Sequence, residues 1–445
     1  MQKVPEANEI MTLREERDML SDDVREMLSQ KVREKRELLV DMCSCLVRIP
    51  SETPPSDTRE VARAVGAMLQ QVEGAEVSYH MMEEPVLNVV ARIKGSGTGK
   101  RLIFNGHLDT FPVGDRESWT VDPFGALQKA GKLYGRGVAD MKGGIACSLL
   151  AFMLLADYRD HWQGELVITL CGDEESMGVL GAKYVLDTVQ HATGDAMISG
   201  DIGTSKVLRF GEKGLLWFEL TAAGKPGHGA HVHRGINAID RLMDGMMRIH
   251  EGLSTIPVKA PAKVTQAIAR AAHVSETYSG AGETAVLQSV TVNFGVIEGG
   301  ISPNLIPEKA ITKGDIRVPV GVTIKEVEDK VREIIAPVEG LSFKVLTAWE
   351  PNWSDPDHEI FALTVRNCRA VWGQETVTTM RVGASDARLY RLLKNVPAVN
   401  CGLQGYNLGG PDEYADIEDM VKVAEIHTLT AFDFLRKGKK ISPQT

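Results

Sequence analysis

This sequence predicts an α/β fold: a largely parallel sheet with helices on both faces, interrupted by a smaller inserted α+β domain. Three observations carry that reading. Short apolar runs such as Leu102–Phe104, Glu165–Leu170 and Ala196–Ser199 have the length and composition of buried strands. They alternate with helical patterns, which brings parallel strands side by side. Near Gly211 the grammar changes to half-exposed alternation, and the strand–helix pattern resumes after Trp349-Glu350-Pro351.

Length supports the division. A chain of 445 residues exceeds one ordinary core, so two domains are expected. The formal net charge of −10 argues against nucleic acid or an anionic membrane surface as partner. No apolar run is read as reaching the ~18 residues that span a bilayer. The first twenty residues are polar and lack the apolar core of a signal peptide, so a cytoplasmic location is expected. The six cysteines are scattered, mostly in apolar surroundings, and read as buried free thiols rather than a metal framework.

In chain order, residues 1–37 form a helical extension. Leu13, Met19, Leu20, Val24, Leu28 and Val32 lie near helical spacing, which suits an extra helix packed on its own domain or subunit. A more apolar helix covers 35–48, and Ser51-Glu52-Thr53-Pro54-Pro55 is a rigid loop. A helix over 57–71 leads to a strand at 76–80. Alternation from Leu87 to Ile93 gives the next strand, and Gly95–Gly99 the turn before the strand that ends in Asn105-Gly106-His107-Leu108-Asp109-Thr110. Asp140 stands in a glycine-rich loop just before an apolar helix that runs to about Leu155, where an N-cap alone would explain it. Strand 165–170 ends in Gly172-Asp173-Glu174-Glu175, and strand 196–199 in Gly200-Asp201.

From 213 to 349 we read the insertion: a strand over 215–222, helix 235–253, strands 289–294 and 310–318, helix 323–336 and a closing strand 341–347. The remainder, 1–212 with 350–445, is the metal-binding domain, ending in helix 357–372, strand 376–380, helix 385–394, strand 398–401 and a helix over about 418–437.

Parallel strands share one carboxyl edge, where α/β sheets bind ligands. His107, Asp140, Glu174, Glu175 and Asp201 therefore converge. Adjacent carboxylates are costly to crowd together unless a cation or water compensates them. An oxygen-rich site with one imidazole suits Zn, Mn or Co. His-x-Asp at a strand end suits a ligand whose tautomer Asp109 fixes.

Five ordered strings, NGHLDT, YGRGVADMKGG, GDEESMG, GKPGHGAHVHRGINAI and GGISPNLIP followed by GDIR, carry a resemblance. The chain from about residue 38 onward resembles the metal-dependent amidohydrolase and exopeptidase family of carboxypeptidase G, acetylornithine deacetylase, succinyl-diaminopimelate desuccinylase and aminoacylase. The resemblance implies that His107, Asp140 and Asp201 hold one metal and that Asp140, bridging, and Glu175 hold another. Glu174 would be the general base and Asp109 the orienter of His107. His228 would reach into a partner subunit's site to stabilise an oxyanion. Asn304 and Arg317 would hold a substrate carboxylate, a task that suits the planar fork of Arg. Gly383, Ser385 and Asp386 match a substrate-side loop. The inserted domain would be the dimerisation surface, giving a homodimer.

The sequence departs from the family at Leu408-Gly409-Gly410-Pro411-Asp412-Glu413, where Gly409 stands in place of a metal-binding His. One metal per subunit is therefore expected, or a second completed by water or substrate. The expected activity is hydrolysis of a C–N bond in a small carboxylate-bearing molecule, most directly an N-acyl amino acid or dipeptide. Two alternatives remain open: expulsion of ammonia from an electron-poor aromatic amine, as in nitroanthranilate aminohydrolase, and a non-catalytic binding relative.

Overall fold

The computed structural model describes residues 22–436. They divide into two compact units: 22–208 with 357–377 and 385–436, and 209–356 with 378–384. The stretch 378–384, which carries Gly383, thus groups with the insertion rather than with the flanking domain.

The first unit is built on a sheet in the order Glu76–His80, Asn88–Lys94, Glu165–Cys171, Arg101–His107, Ala196–Ser199, Ala398–Asn400. Its centre is parallel: Arg101–His107 pairs in parallel with Glu165–Cys171 and with Ala196–Ser199, which pairs in parallel with Ala398–Asn400. The Glu76–His80 edge is antiparallel. Every residue from Leu102 to His107 is buried, so both faces of the sheet are covered. Leu102, Ile103 and Phe104 are fully buried, each worth about 1.5–3 kcal/mol relative to exposure. Helices Gly143–Asp157 and Ile417–Leu435 pack on each other and on the central strands.

The first of these helices corrects one expectation. With its preceding turn, Val138–Asp157 is long and apolar enough to cross a membrane by length and composition, Asp140 and Lys142 having masked the run. However, 89% of its apolar window is buried, as in a core helix.

The extension contributes a helix over 22–34. Val24, Leu28 and Val32 are buried along one stripe. Its polar side is tied to the same unit: Arg25 pairs with Asp433, and Ser29 Oγ and Arg33 Nη2 donate to Glu425 Oε1 at 2.5 and 2.8 Å. Leu13, Met19 and Leu20 of the expected pattern lie outside the described residues.

The second unit is an antiparallel sheet ordered Thr291–Gly299, Lys309–Val318, Gly214–Ala223, Leu341–Trp349. Strand Gly214–Ala223 alternates, and Leu216, Phe218, Leu220 and Ala222 pack with helices Ala238–Leu253 and Ile324–Ile335 into one core. Helix Ile324–Ile335 starts on a capping box between Thr323 and Glu326. A further helix, Ala262–Ser279, was not anticipated: three of its five buried residues, Ala267, Ala271 and Ser275, are small, with Val264 and Ile268 as the bulky anchors. Nor was a small three-stranded sheet in the first unit, Leu127–Lys129, Lys132–Tyr134 and Tyr414–Asp416.

Candidate active site

Register brings the strand ends of the first unit level. His107 lies opposite Cys171, and Asn105 opposite Ser199. The polar residues that follow each strand therefore meet at one edge. His107, Glu174 and Glu175 form one group able to hold a metal ion, and His107, Asp140 and Asp201 another, with ligand atoms within 4.8 Å of one another in each. His107 Nε2 is 3.1 Å from Asp140 Oδ1. Asp140 follows Gly137, whose φ of +80° makes the turn into the core helix.

Asp109 plays an additional part. The Nδ1 of His107 is 2.9 Å from the backbone oxygen of Asp109 and 3.6 Å from its carboxylate. The carboxylate instead accepts the backbone N–H groups of Glu174 and Glu175, each at 3.1 Å. It thus holds the turn that carries both acids. That turn is tight, with Asp173 and Met177 at φ +75° and +80°.

Electrostatics match the crowding. Burial, with Asp386 and Asp201 nearby, pushes the Glu174 carboxyl up to about 8 against the pull of His107 and Arg388. Burial and the neighbouring Asp140, Glu174 and Asp109 push Glu175 up to about 9. For His107, burial opposes the charge, but the bonds to Asp109 and Asp140 and the surrounding carboxylates outweigh it and hold the imidazole well above its usual range. Glu175 Oε1 is buried without a hydrogen-bond partner. A carboxylate-rich, single-imidazole set with an orphaned buried oxygen fits a divalent cation.

Ser385 and Asp386 are buried in the same unit. Burial raises Asp386 to about 7, opposed by Arg388 and His107. Sequence reasoning missed Arg388, which is buried with Nη1 3.6 Å from Glu174 Oε1 and 2.6 Å from the Ser385 oxygen. One signal was available: Arg388 falls in the first turn of helix Ala387–Lys394, where the helix dipole disfavours a cation.

Gly409 has φ +71°, and a Cβ built there would meet only Phe111 Cδ2, at 3.9 Å. Its carbonyl and that of Gly410 accept Arg136 Nη2 at 3.0 and 3.1 Å. Arg136 pairs with Glu413 at 2.5 Å, and Glu413 Oε1 accepts the Ala139 N–H at 3.1 Å, beside Asp140.

The remaining candidates belong to the second unit. His228 is exposed, and its Nδ1 accepts the Ala230 N–H at 3.1 Å. It pairs across a short bridge with Leu305, next to exposed Asn304. Arg317 does not join them. It stands opposite Leu215 at the far end of strand Lys309–Val318, about 27 Å along the strand from Lys309 at ~3.4 Å per residue. Its Nε donates to Asp315 Oδ2 at 2.9 Å. Gly383 is half-buried.

The chain matches the sequence profile of the peptidase family M20/M25/M40 over residues 103–433. It is 28% identical over 394 residues to a succinyl-diaminopimelate desuccinylase of Rhodospirillum centenum, covering 86% of this chain and 93% of that one. Its fold is similar to that of an M20 family metallo-carboxypeptidase from Sulfolobus solfataricus, with a TM-score of 0.77 at 19% identity, covering 89% of this chain and 99% of that one. It is also similar to human carnosine dipeptidase 1, with a TM-score of 0.73 at 18% identity, covering 92% and 99%.

Proposed function

Because this chain belongs to the peptidase family M20/M25/M40 and is a metal-dependent hydrolase of C–N bonds, we propose that it cleaves the amide of a small N-acyl amino acid or dipeptide bearing a carboxylate. The observation that carries this reading is that His107 meets Asp140 and Asp201 in one group and the buried Glu174 with Glu175 in another, at one sheet edge.

His107, Asp140 and Asp201 would hold one divalent metal, Mn or Zn, with Co a third candidate. Glu175 would be a lone remnant of a second set that lacks its His at Gly409. A bound metal supplies Lewis acidity that makes a coordinated water acidic near neutral pH. Glu174 takes a proton from the attacking water and delivers it to the leaving nitrogen. Arg388 pairs with the Glu174 carboxylate, and the Asp109 carboxylate holds its backbone. Asn304 and Arg317 are the residues we assign to the substrate carboxylate, and Gly383, Ser385 and Asp386 are assigned as further substrate contacts.

His228 stabilises the oxyanion in the site of a second copy. The length of strand Lys309–Val318 supports this: one chain keeps the His228–Asn304 corner and Arg317 at opposite ends. A site using all three needs the corner from a partner. Met243 and Met247, 51% and 61% exposed on one face of helix Ala238–Leu253, and Ile297 at 58% on the edge strand support a homodimer through this unit.

A second reading, expulsion of ammonia from an electron-poor aromatic amine, is favoured by one observation. The position lacking the His side chain faces the ring of Phe111, which is 40% exposed. A panel of N-acyl amino acids, dipeptides and aminobenzoates, run beside elemental analysis of the dialysed protein, tests both. Amide turnover with one metal per chain is expected. Ammonia release from aminobenzoates alone would select the second reading, and metal uptake without any turnover would leave a binding relative.

A further inference from the structure

The Asp109 carboxylate is fully buried and has three donors. Two are the backbone N–H groups of Glu174, on Oδ1, and Glu175, on Oδ2. The third is the hydroxyl of Thr53, 56 residues earlier in the chain, 2.9 Å from Oδ2. Thr53 is itself buried. A carboxylate only accepts, so Thr53 donates here, and the Ser56 hydroxyl, 3.0 Å from the Thr53 oxygen, donates to Thr53 in turn.

The loop that carries Thr53 is fastened to the His107 turn on several sides. Ser51 Oγ donates to the Leu108 oxygen at 2.7 Å. The Thr53 N–H donates to the Thr110 oxygen at 2.8 Å, and the Thr110 N–H to the Ser51 oxygen at 2.9 Å. The Glu52 carboxylate accepts the Val113 N–H at 2.7 Å. These backbone and side-chain ties fix where the Thr53 hydroxyl sits before it meets Asp109.

We infer that Thr53 is a positioning residue of the hydrolytic site: its hydroxyl sets the rotation of the Asp109 carboxylate, which in turn holds the Glu174–Glu175 backbone. A carboxylate held by two amides of one turn moves with that turn. A third donor, from a loop bonded to the Leu108–Thr110 backbone, fixes the carboxylate's rotation against the strand edge and so the turn it holds. The turn needs such a tie, because Asp173 and Met177 adopt left-handed φ values that L residues keep only when their surroundings impose them. Glu174 and Glu175 then present their carboxylates to His107 from a fixed base.

The test compares T53V, which keeps the shape and loses the donor, with T53S, which keeps the donor. In the metal-free protein, amide hydrogen exchange at Glu174 and Glu175 should rise about tenfold in T53V, stay within about threefold of wild type in T53S, and not change in strand Leu166–Leu170. In the metal-loaded enzyme, T53V should lower kcat about tenfold or more with KM within about twofold, and T53S should restore kcat. Only the kinetic arm rests on the proposed hydrolysis. A wild-type protein that turns over no substrate would defeat that reading and leave the exchange arm to decide this one. Unchanged exchange at both amides in T53V, or T53S behaving as T53V does, overturns the inference. Should T53V not fold, S56A decides: exchange at the two amides rises about two- to fourfold, or the inference fails.

Discussion

Arg136 and Glu413 form an ion pair buried to 1% exposure on each side chain, and it joins the loop ahead of Asp140 to the Gly409–Glu413 loop. Arg136 holds the Gly409 and Gly410 carbonyls, while Glu413 holds the backbone ahead of Asp140. Removing one charge strands the other. E413Q is expected to cost about 3–5 kcal/mol of stability, the usual penalty for an orphaned buried charge. It should also loosen metal binding through Asp140. Thermal melting and metal content after dialysis check both, and a variant with unchanged melting and metal would remove this pair from the account of the site.

The gap at Gly409 can be filled. A Cβ there would meet only the edge of Phe111, although the left-handed φ costs a non-glycine residue about 1–2 kcal/mol. G409H is expected to raise the metal count from one towards two per chain, read by elemental analysis. Two metals in the unaltered protein would show that another group already completes the second set.

Glu174 and Glu175 should separate by function. E174Q is expected to retain metal and lose about 10²- to 10⁴-fold in kcat, the range of a general acid–base. E175Q should keep the metal that His107, Asp140 and Asp201 hold and lose far less in kcat than E174Q. If E174Q hydrolyses substrate normally, the proton is carried elsewhere.

The metal-free protein should be pH-sensitive in a defined direction. Glu174 and Glu175 rise from about 4.5 to about 8 and about 9 on folding. The folded state therefore binds more protons across that window. The stability these groups contribute is complete below their unfolded values and is lost as pH rises through the folded ones, by up to about 1.4 kcal/mol per pH unit for each fully titrating group. Melting of the metal-free chain should fall between about pH 6 and about pH 9, and E175Q should flatten the slope. An equally steep slope in E175Q would place the proton elsewhere.

The proposed dimer has its own check. M243E and M247E together put charge on the exposed face of helix Ala238–Leu253. Sedimentation should show a monomer with unchanged helix content and no turnover. Activity in a monomer would end the requirement for His228 from a partner.

Much of this was legible because apolar strands announce themselves and the residue after each is polar: His107, Glu174 and Asp201 could be placed at one edge before any coordinates. What was illegible is pairing across the chain. Nothing near Thr53 shows that its hydroxyl meets Asp109, and nothing near Arg136 names Glu413, because spacing reports a segment's own face and not its distant neighbour. Helix Ala262–Ser279 escaped for a different reason, since a stripe in which Ala267, Ala271 and Ser275 outnumber Val264 and Ile268 offers little apolar contrast. The separation of Arg317 from Asn304 was readable in principle from the length of strand Lys309–Val318, with Asn304 just ahead of it and Arg317 near its end.

The order in which the first unit's sheet is laid down has a consequence for synthesis. Strand Ala398–Asn400 completes the flank beside Ala196–Ser199, yet it leaves the ribosome some two hundred residues later, after the whole second unit. Throughout that interval the growing chain carries an open strand edge and a half-walled group of acids, with Glu413 and helix Ile417–Leu435 still to come. The second unit, whose sheet and core come from one continuous stretch, can fold on emergence. Nascent chains halted before residue 398 should therefore yield a protease-resistant fragment from the second unit alone, and depend on holdase chaperones until the last helix arrives.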